Sequence, residues 1–247
     1  MSNGLHATAF GYTLAVTSNA TLINSSMDAF GADPLKEFAP IAYLGAAPNV
    51  IVTRTTSGIT SLGDLIAKAR ANPGKLTYSS PGVGTSAHLA VELLKIRAGI
   101  NITHVAFNGS GMSLVAALSG ITDISTLNTL GLMRYIRSGE LKALAQIGKE
   151  RWVELSDIPT LAEAGFPNAI LETSFMFLAP AGTPYQIIDI LTQKTREILE
   201  QSDIKAKLLE TGFVAHYEGP DNLRERIVRE MPILNEILDR SGFRKKK

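Results

Sequence analysis

The sequence predicts an α/β protein built on a doubly wound, mostly parallel sheet. Three observations predict it. Strand-like and helix-like patterns alternate as β-α-β-α-β from Leu76 to Ile147. Two strand-to-helix turns in that stretch, Pro81 to Ser86 and Asn108 to Gly111, are rich in glycine and serine. Finally, 45% hydrophobic against 19% charged residues in a chain of 247 suffices to bury the core of one large domain or two smaller ones.

Each element follows from local pattern. Tyr12 to Thr17 reads as a short buried strand, and Ile41 to Leu44 and Val50 to Thr53 as strands separated by Pro48-Asn49. Ser61 to Ala71 is a helix opened by a Ser61/Asp64 capping box, with Leu62, Leu65, Ile66 and Ala69 apolar, and Asn72-Pro73-Gly74 stops it. Lys75 to Ser79 is strand-like and leads through the Gly82/Gly84 turn into a helix with Leu89, Leu93 and Ile96 on one face. Asn101 to Phe107 is the next strand, and Asn108-Gly109-Ser110-Gly111 opens a helix carrying Leu114, Val115 and Leu118. Ile121 to Thr126 is a strand, a helical stretch runs through Ile136 to Gly139, and Leu141 to Ile147 is a further strand. Pro159 to Gly165 reads as a short helix with a Thr160/Glu163 box and a terminal glycine, and Phe175 to Ala179 as a strand. Thr183-Pro184-Tyr185-Gln186 starts a helix to about Gln201, with Thr183 as cap and Ile187, Ile188, Leu191, Ile198 and Leu199 inward. Ser202 to Glu210 is helical and ends at Gly212; the last helix, Pro220 to about Arg240, contains Pro232, which should kink or split it.

This order carries chemistry. Right-handed crossovers bring successive helix N-termini to the carboxyl edge of the sheet, where open α/β sheets bind ligands. The first N–H groups of a helix lack internal partners and lie at the positive end of its dipole. Glycines admit close backbone approach, and Thr85, Ser86 and Ser110 add hydroxyls, so the two turns suit a carboxylate or another small anion. Each of these hydroxyls also reads as an N-cap, and His88, one turn further, as a packed or capping histidine.

Other classes find little support. No G-x-x-x-x-G-K-[ST] occurs, and the glycine spacing is wrong for a dinucleotide fingerprint. The absence of cysteine excludes disulfides, zinc–thiolate sites and a cysteine nucleophile. Lys plus Arg at 24 against Asp plus Glu at 23 gives +1, no reason to expect nucleic acid or an anionic membrane. No run of 18 apolar residues could span a bilayer, Met1 to Phe10 has no charged n-region followed by an apolar h-region, and the Arg244 to Lys247 tail reads as a solvated end.

Six segments in order resemble one family. They are Gly11 to Leu14, Asp33 to Pro40, Pro73 to Tyr78, Pro81 to Leu89, Asp157 to Gly165 and Ala179 to Pro184. They are similar to the Bug-type (TctC-like) solute receptors of tripartite tricarboxylate transporters, over nearly the whole chain. The resemblance implies a type II periplasmic-binding-protein-like fold, with two doubly wound α/β domains closing a cleft on a small carboxylated ligand. Domain one would be residues 1–47 plus 175–247, and domain two residues 48–174. The resemblance implies a periplasmic monomer that is not an enzyme, uses no cofactor or metal, and hands an organic acid to a membrane permease. Its pocket maps onto Ser18, Asn19 and Thr21 after the first strand, Gly84, Thr85 and Ser86, Gly109 and Ser110, the strand end at Asn128, and Phe175.

The chain also departs from the family. It begins where the family is already under way: the export signal, the opening strand and its Gly-Gly loop are absent from the given residues, which fits a natural start upstream of Met1, a degraded gene copy or a functional variant. Asn108 and Ala106 stand where the family has a basic or larger polar residue and a proline, and Pro232 falls in a helix the family keeps continuous. Two further readings remain open: a truncated copy that binds nothing or pairs through an exposed sheet edge, and a hydrolase using Ser86 or Ser110 with His88 or His104. Against the hydrolase stand the missing G-x-S-x-G elbow and the dispersion of the 4 histidines.

Overall fold

The computed structural model describes residues 11–27, 33–167, 171–240 and 242–243. Met1 to Phe10 and the Arg244 to Lys247 tail lie outside the described residues. The chain divides into two compact units, Met1–Ala46 with Ser174–Lys247, and Ala47–Thr173.

In chain order, the first unit opens with β1 (Ala15–Ser18), α1 (Ala20–Ser26), α2 (Pro34–Glu37) and β2 (Phe38–Ala47). The second holds β3 (Asn49–Arg54), α3 (Leu62–Ala71), β4 (Thr77–Ser80), α4 (Ser86–Ala98), β5 (Thr103–Ala106), α5 (Ser110–Ser119), β6 (Ile124–Asn128), α6 (Met133–Arg137) and β7 (Leu141–Ile147). The chain then leaves through β8 (Thr173–Pro180), and α7 (Tyr185–Leu199), α8 (Ser202–Glu210), β9 (Val214–Glu218) and α9 (Pro220–Arg240) complete the first unit.

The second unit is a five-stranded sheet ordered β5-β4-β6-β3-β7. β4 runs parallel to β5 and β6, as the β-α-β pattern requires. β3 breaks the expected run of parallel strands. It inserts between β6 and β7, antiparallel to both. Its composition explains the place: Asn49 to Thr53 is buried without interruption, the mark of a strand covered on both faces. Val50, Val52, Leu127, Leu141, Trp152 and Leu155 form a core on one side. Gln146, fully buried, holds the following loop: its amide donates to the carbonyls of Leu155 and Ile158 at 2.8 Å each and accepts from the Trp152 N–H at 2.8 Å. The carboxylate of Asp123 ties β6 to β4 by accepting from the Thr77 N–H and hydroxyl, both at 2.8 Å.

The first unit's sheet, among the described residues, has the order β1-β8-β2-β9. The Arg226 guanidinium of α9 lies 4.1 Å from the Tyr43 ring centroid and pairs with Glu218 and Glu230. That pairing holds the Glu218 carboxyl below its usual range.

Several local expectations change. The Thr160/Glu163 box forms, with Glu163 N–H to the Thr160 hydroxyl at 3.1 Å and Thr160 N–H to the Glu163 carboxylate at 2.8 Å. No helix follows, because Gly165 turns left-handed (φ +94°) after a single turn. Thr183 is not a side-chain cap; its hydroxyl donates back to the Pro180 carbonyl at 2.8 Å and α7 begins at Tyr185. α9 runs through Pro232 unsplit, with Leu223, Ile227, Leu234 and Leu238 buried on both sides of it, so packing holds both halves. Ile198, expected inward, is exposed, and Ile96 and Val115 are exposed on their helices as well.

Gly45 marks a constraint in the first unit. β2 bulges between Tyr43 and Gly45 against β9, and Gly45 has φ +136°. A Cβ there would lie 2.2 Å from the Val214 carbonyl oxygen, so the two strands meet only because position 45 has no side chain. Gly45→Ala is therefore expected to lower stability by about 3 kcal/mol or more, read as a reduced urea midpoint.

Candidate functional site

The site grows from the carboxyl ends of β4 and β5. β4 stops at Ser80, and Pro81 to Thr85 turns the chain into α4; β5 stops at Ala106, and Phe107 to Gly109 turns it into α5. The turns lie side by side. The Phe107 N–H donates to the Ser80 carbonyl at 3.1 Å, and the Gly109 N–H to the Pro81 carbonyl at 2.9 Å. A Cβ on Gly82 (φ +145°) would meet the Phe107 carbonyl at 3.3 Å, so this glycine permits the close approach.

Two helix starts thus stand next to each other. The N–H groups of Ser86 and Ala87 at α4, and of Ser110, Gly111 and Met112 at α5, occupy first-turn positions with no intrahelical partner. Each helix contributes roughly half a positive charge at that end. α4 spans 13 residues and α5 10, long enough for an extended dipole.

The predicted hydroxyl donors behave differently from one another. Thr85 caps α4: its oxygen accepts the His88 N–H at 3.2 Å and its one proton goes to the Gly82 carbonyl at 2.8 Å. Ser86 is buried, its hydroxyl 2.7 Å from that of Thr173. Thr173 in turn donates to Asn49 Oδ1 at 3.0 Å, so the shared bond must run from Ser86 to Thr173. Both protons are spent inside the protein. Ser86 offers its backbone N–H, and Ser110, exposed, offers both N–H and hydroxyl. The amides of the two predicted glycines are also committed, Gly109 to Pro81 and Gly84 to His88 Nδ1 at 3.4 Å.

Asn49 is a residue that sequence reasoning missed. It is fully buried, donates to the Leu171 carbonyl at 2.7 Å, and through Thr173 anchors the first residue of α4. In the β3–β6 ladder Asn49 faces Asn128 and Ile51 faces Thr126, which puts Asn49, Thr126 and Asn128 on one side of the sheet. Asn128 is half-buried, and the fully buried Thr126 hydroxyl has no partner among the described residues.

Ser18, Asn19, Thr21 and Phe175 belong to the other unit. The Ser18 hydroxyl accepts the Ala20 N–H at 3.3 Å, and the Asn19 N–H donates to the Ser174 carbonyl at 3.0 Å. The Thr21 hydroxyl lies 2.6 Å from that of Thr17. Phe175 pairs with Ser18 across the β1–β8 ladder and meets Phe213 edge-on at 5.6 Å.

Behind the glycine-rich turn three rings meet: Tyr78 stacks on His104 at 4.6 Å, and His104 lies tilted against His88 at 4.3 Å. Tyr78 donates to Glu92 at 2.6 Å, which also binds Lys95 at 2.7 Å. Burial drives the His88 imidazole down from 6.5 to about 3, assisted by repulsion from His104 and Lys95. Burial also lowers His104 and raises the Tyr78 phenol. A buried neutral histidine contributes stability that is complete above pH 6.5 and is lost as the pH falls toward its native value, since only the unfolded chain takes up the proton. Each such histidine is therefore expected to lower stability by up to about 1.4 kcal/mol per pH unit below 6.5. Urea titrations between pH 7.5 and 5.5, above the range where carboxyls of the unfolded chain protonate, should show this slope, reduced in His88→Gln.

Comparison with known proteins identifies the family. The family model described as tripartite tricarboxylate transporter family receptor matches residues 3–240. A UPF0065 protein of Bordetella pertussis is 36% identical over 149 residues, 58% of this chain and 45% of that protein. Protein BugT of the same organism is 33% identical over 138 residues, 55% of this chain and 42% of its own length. These matches span less than half of the curated relatives. Among solved structures, an R. palustris protein with adipate superposes with a TM-score of 0.93 at 28% identity, covering 98% of this chain and 81% of that one. The periplasmic binding protein BugD superposes with a TM-score of 0.93 at 22% identity, covering 99% and 83%, and supports the fold. Among the described residues no helix is long and apolar enough to cross a membrane. The chain belongs to the tripartite tricarboxylate transporter receptor family, the Bug-type solute receptors.

Proposed function

We propose that this protein is a periplasmic receptor that captures a small organic carboxylate and delivers it to the permease of a tripartite tricarboxylate-type transporter. The observation that carries this reading is the bond from Gly109 to Pro81, which sets two amide-bearing helix starts side by side. The free donors there are the N–H groups of Ser86, Ala87, Ser110, Gly111 and Met112 and the Ser110 hydroxyl. Together they suit an anion and need no cationic side chain. Thr126 and Asn128 are proposed as additional donors from β6. Ser18, Asn19, Thr21 and Phe175 are proposed as contacts of the first unit on family resemblance alone. The relative at 28% identity was solved with adipate, so a short dicarboxylate is the first ligand to test.

Calorimetry with adipate and a panel of small carboxylic acids tests the proposal. At least one acid should bind at roughly micromolar affinity, about −8 kcal/mol. No heat with any acid, in a folded sample, would contradict it. Ser110→Pro removes one amide and one hydroxyl at the first helical position, where proline is tolerated. It should weaken binding by about 2 kcal/mol while the fold persists.

A further inference from the structure

We propose that Val83 and Met112 are specificity residues that favour a carboxylate whose remainder is hydrocarbon, a straight chain or a ring, over a hydroxylated acid. The inference names the ligand class of the site described above and rests on the receptor reading.

The selection begins with what borders the amides. Once the N–H groups of the two helix starts hold the carboxylate, the rest of the acid has to pass the side chains on the rim of the same turns. Among residues 81–87 and 107–113, the exposed residues that carry a side chain are Val83, Asn108, Ser110 and Met112. No residue of either stretch is charged. At these turns the body of the acid therefore meets apolar side chains at Val83 and Met112, a carboxamide at Asn108 and a hydroxyl at Ser110, and no cation.

Both apolar residues stand beside the donors. The Thr85 N–H donates to the Gly82 carbonyl at 3.4 Å, which closes a turn with Val83 at its second position, just ahead of the Ser86 amide. Met112 supplies one of the amides itself. A helical side chain leans toward the N-terminus of its helix, so that of Met112 leans toward the α5 start. Gly109 and Gly111 flank that start without side chains. A Cβ on either would meet nothing within 4 Å, which leaves room beside Met112.

Exposure supplies the driving force. Val83 is 47% and Met112 57% exposed. A scattered apolar side chain at the surface is ordinary, but these two occupy the very turns that carry the donors. Covering them with hydrocarbon takes apolar surface of both partners out of water, a gain of up to about fourfold in affinity for each methylene buried. A ligand hydroxyl in the same place loses water and finds no hydrogen-bond partner on either side chain. The unbranched, polarizable Met112 side chain can follow chains and rings of different shape.

The test is calorimetry at pH 7.5 on the wild type and on Val83→Thr/Met112→Gln, whose exposed substitutions keep the fold. One series runs from propanoate to hexanoate, a single carboxylate with one methylene added at each step. A second comparison sets adipate against galactarate, the same chain and charges with a hydroxyl on each inner carbon. Wild-type affinity should rise by at least about tenfold from propanoate to hexanoate, and the rise should shrink below about threefold in the variant. Adipate should bind the wild type at least about tenfold more tightly than galactarate, and that ratio should shrink likewise. A flat series, the same rise in both proteins, or galactarate binding as tightly as adipate would overturn the proposal. If the single carboxylates bind too weakly to measure, the ratio of adipate to galactarate in the two proteins decides. Diacids that bind without these preferences sink the specificity alone; no binding by any acid sinks the receptor reading and the specificity with it.

Discussion

A single backbone hydrogen bond, from the Gly109 N–H to the Pro81 carbonyl, sets the geometry on which the rest depends. It joins two turns that the chain visits more than twenty residues apart, and a second bond, from Phe107 to Ser80, repeats the link one step deeper. Both are possible because β4 and β5 are parallel neighbours, with Ser80 facing Ala106, so their exits lie at one edge. Glycine at position 82 lets the two backbones close. Remove that closeness and each helix start is an ordinary capped end; with it, two dipoles of the same sign meet.

Two like poles side by side repel one another, and their unpaired amides call for acceptors. A carboxylate would satisfy them and neutralise the dipoles together, with charge-assisted bonds stronger than those between neutral groups. The surrounding side chains are arranged to hold this edge. Asn49 fixes Thr173, Thr173 fixes Ser86, and His88 and Ser80 fix Gly84 and Gly82. Most of the polar side chains behind the amides are thus spent on position, which leaves the backbone N–H groups as donors for the proposed ligand.

Much of this could be read from residue order. The β-α-β alternation predicted the parallel β5-β4-β6 core, and glycine and serine at the helix starts predicted where the amides are. The insertion of β3 between β6 and β7 could not be read, because the pattern of Asn49 to Thr53 reports burial on both faces but not the neighbours. Nor could the fate of hydroxyl protons. Thr85, Ser86 and Ser110 look alike in sequence, yet Ser86 meets a partner 87 positions away and Thr173 a partner 124 positions away. A hydroxyl has one proton, and only the fold decides where it goes. The only local hint of Asn49 was its place beside Pro48 ahead of an apolar run, which reads equally well as a turn.

The central claim is that backbone amides at the two helix starts bind the carboxylate directly. The most direct measurement is the change in amide nitrogen and proton shifts when adipate is added to 15N-labelled protein at pH 7.5. The account predicts that the largest shifts fall on Ser86, Ala87, Ser110, Gly111 and Met112, and saturate together. Saturable shifts confined to other residues, with these five amides unmoved, would contradict it.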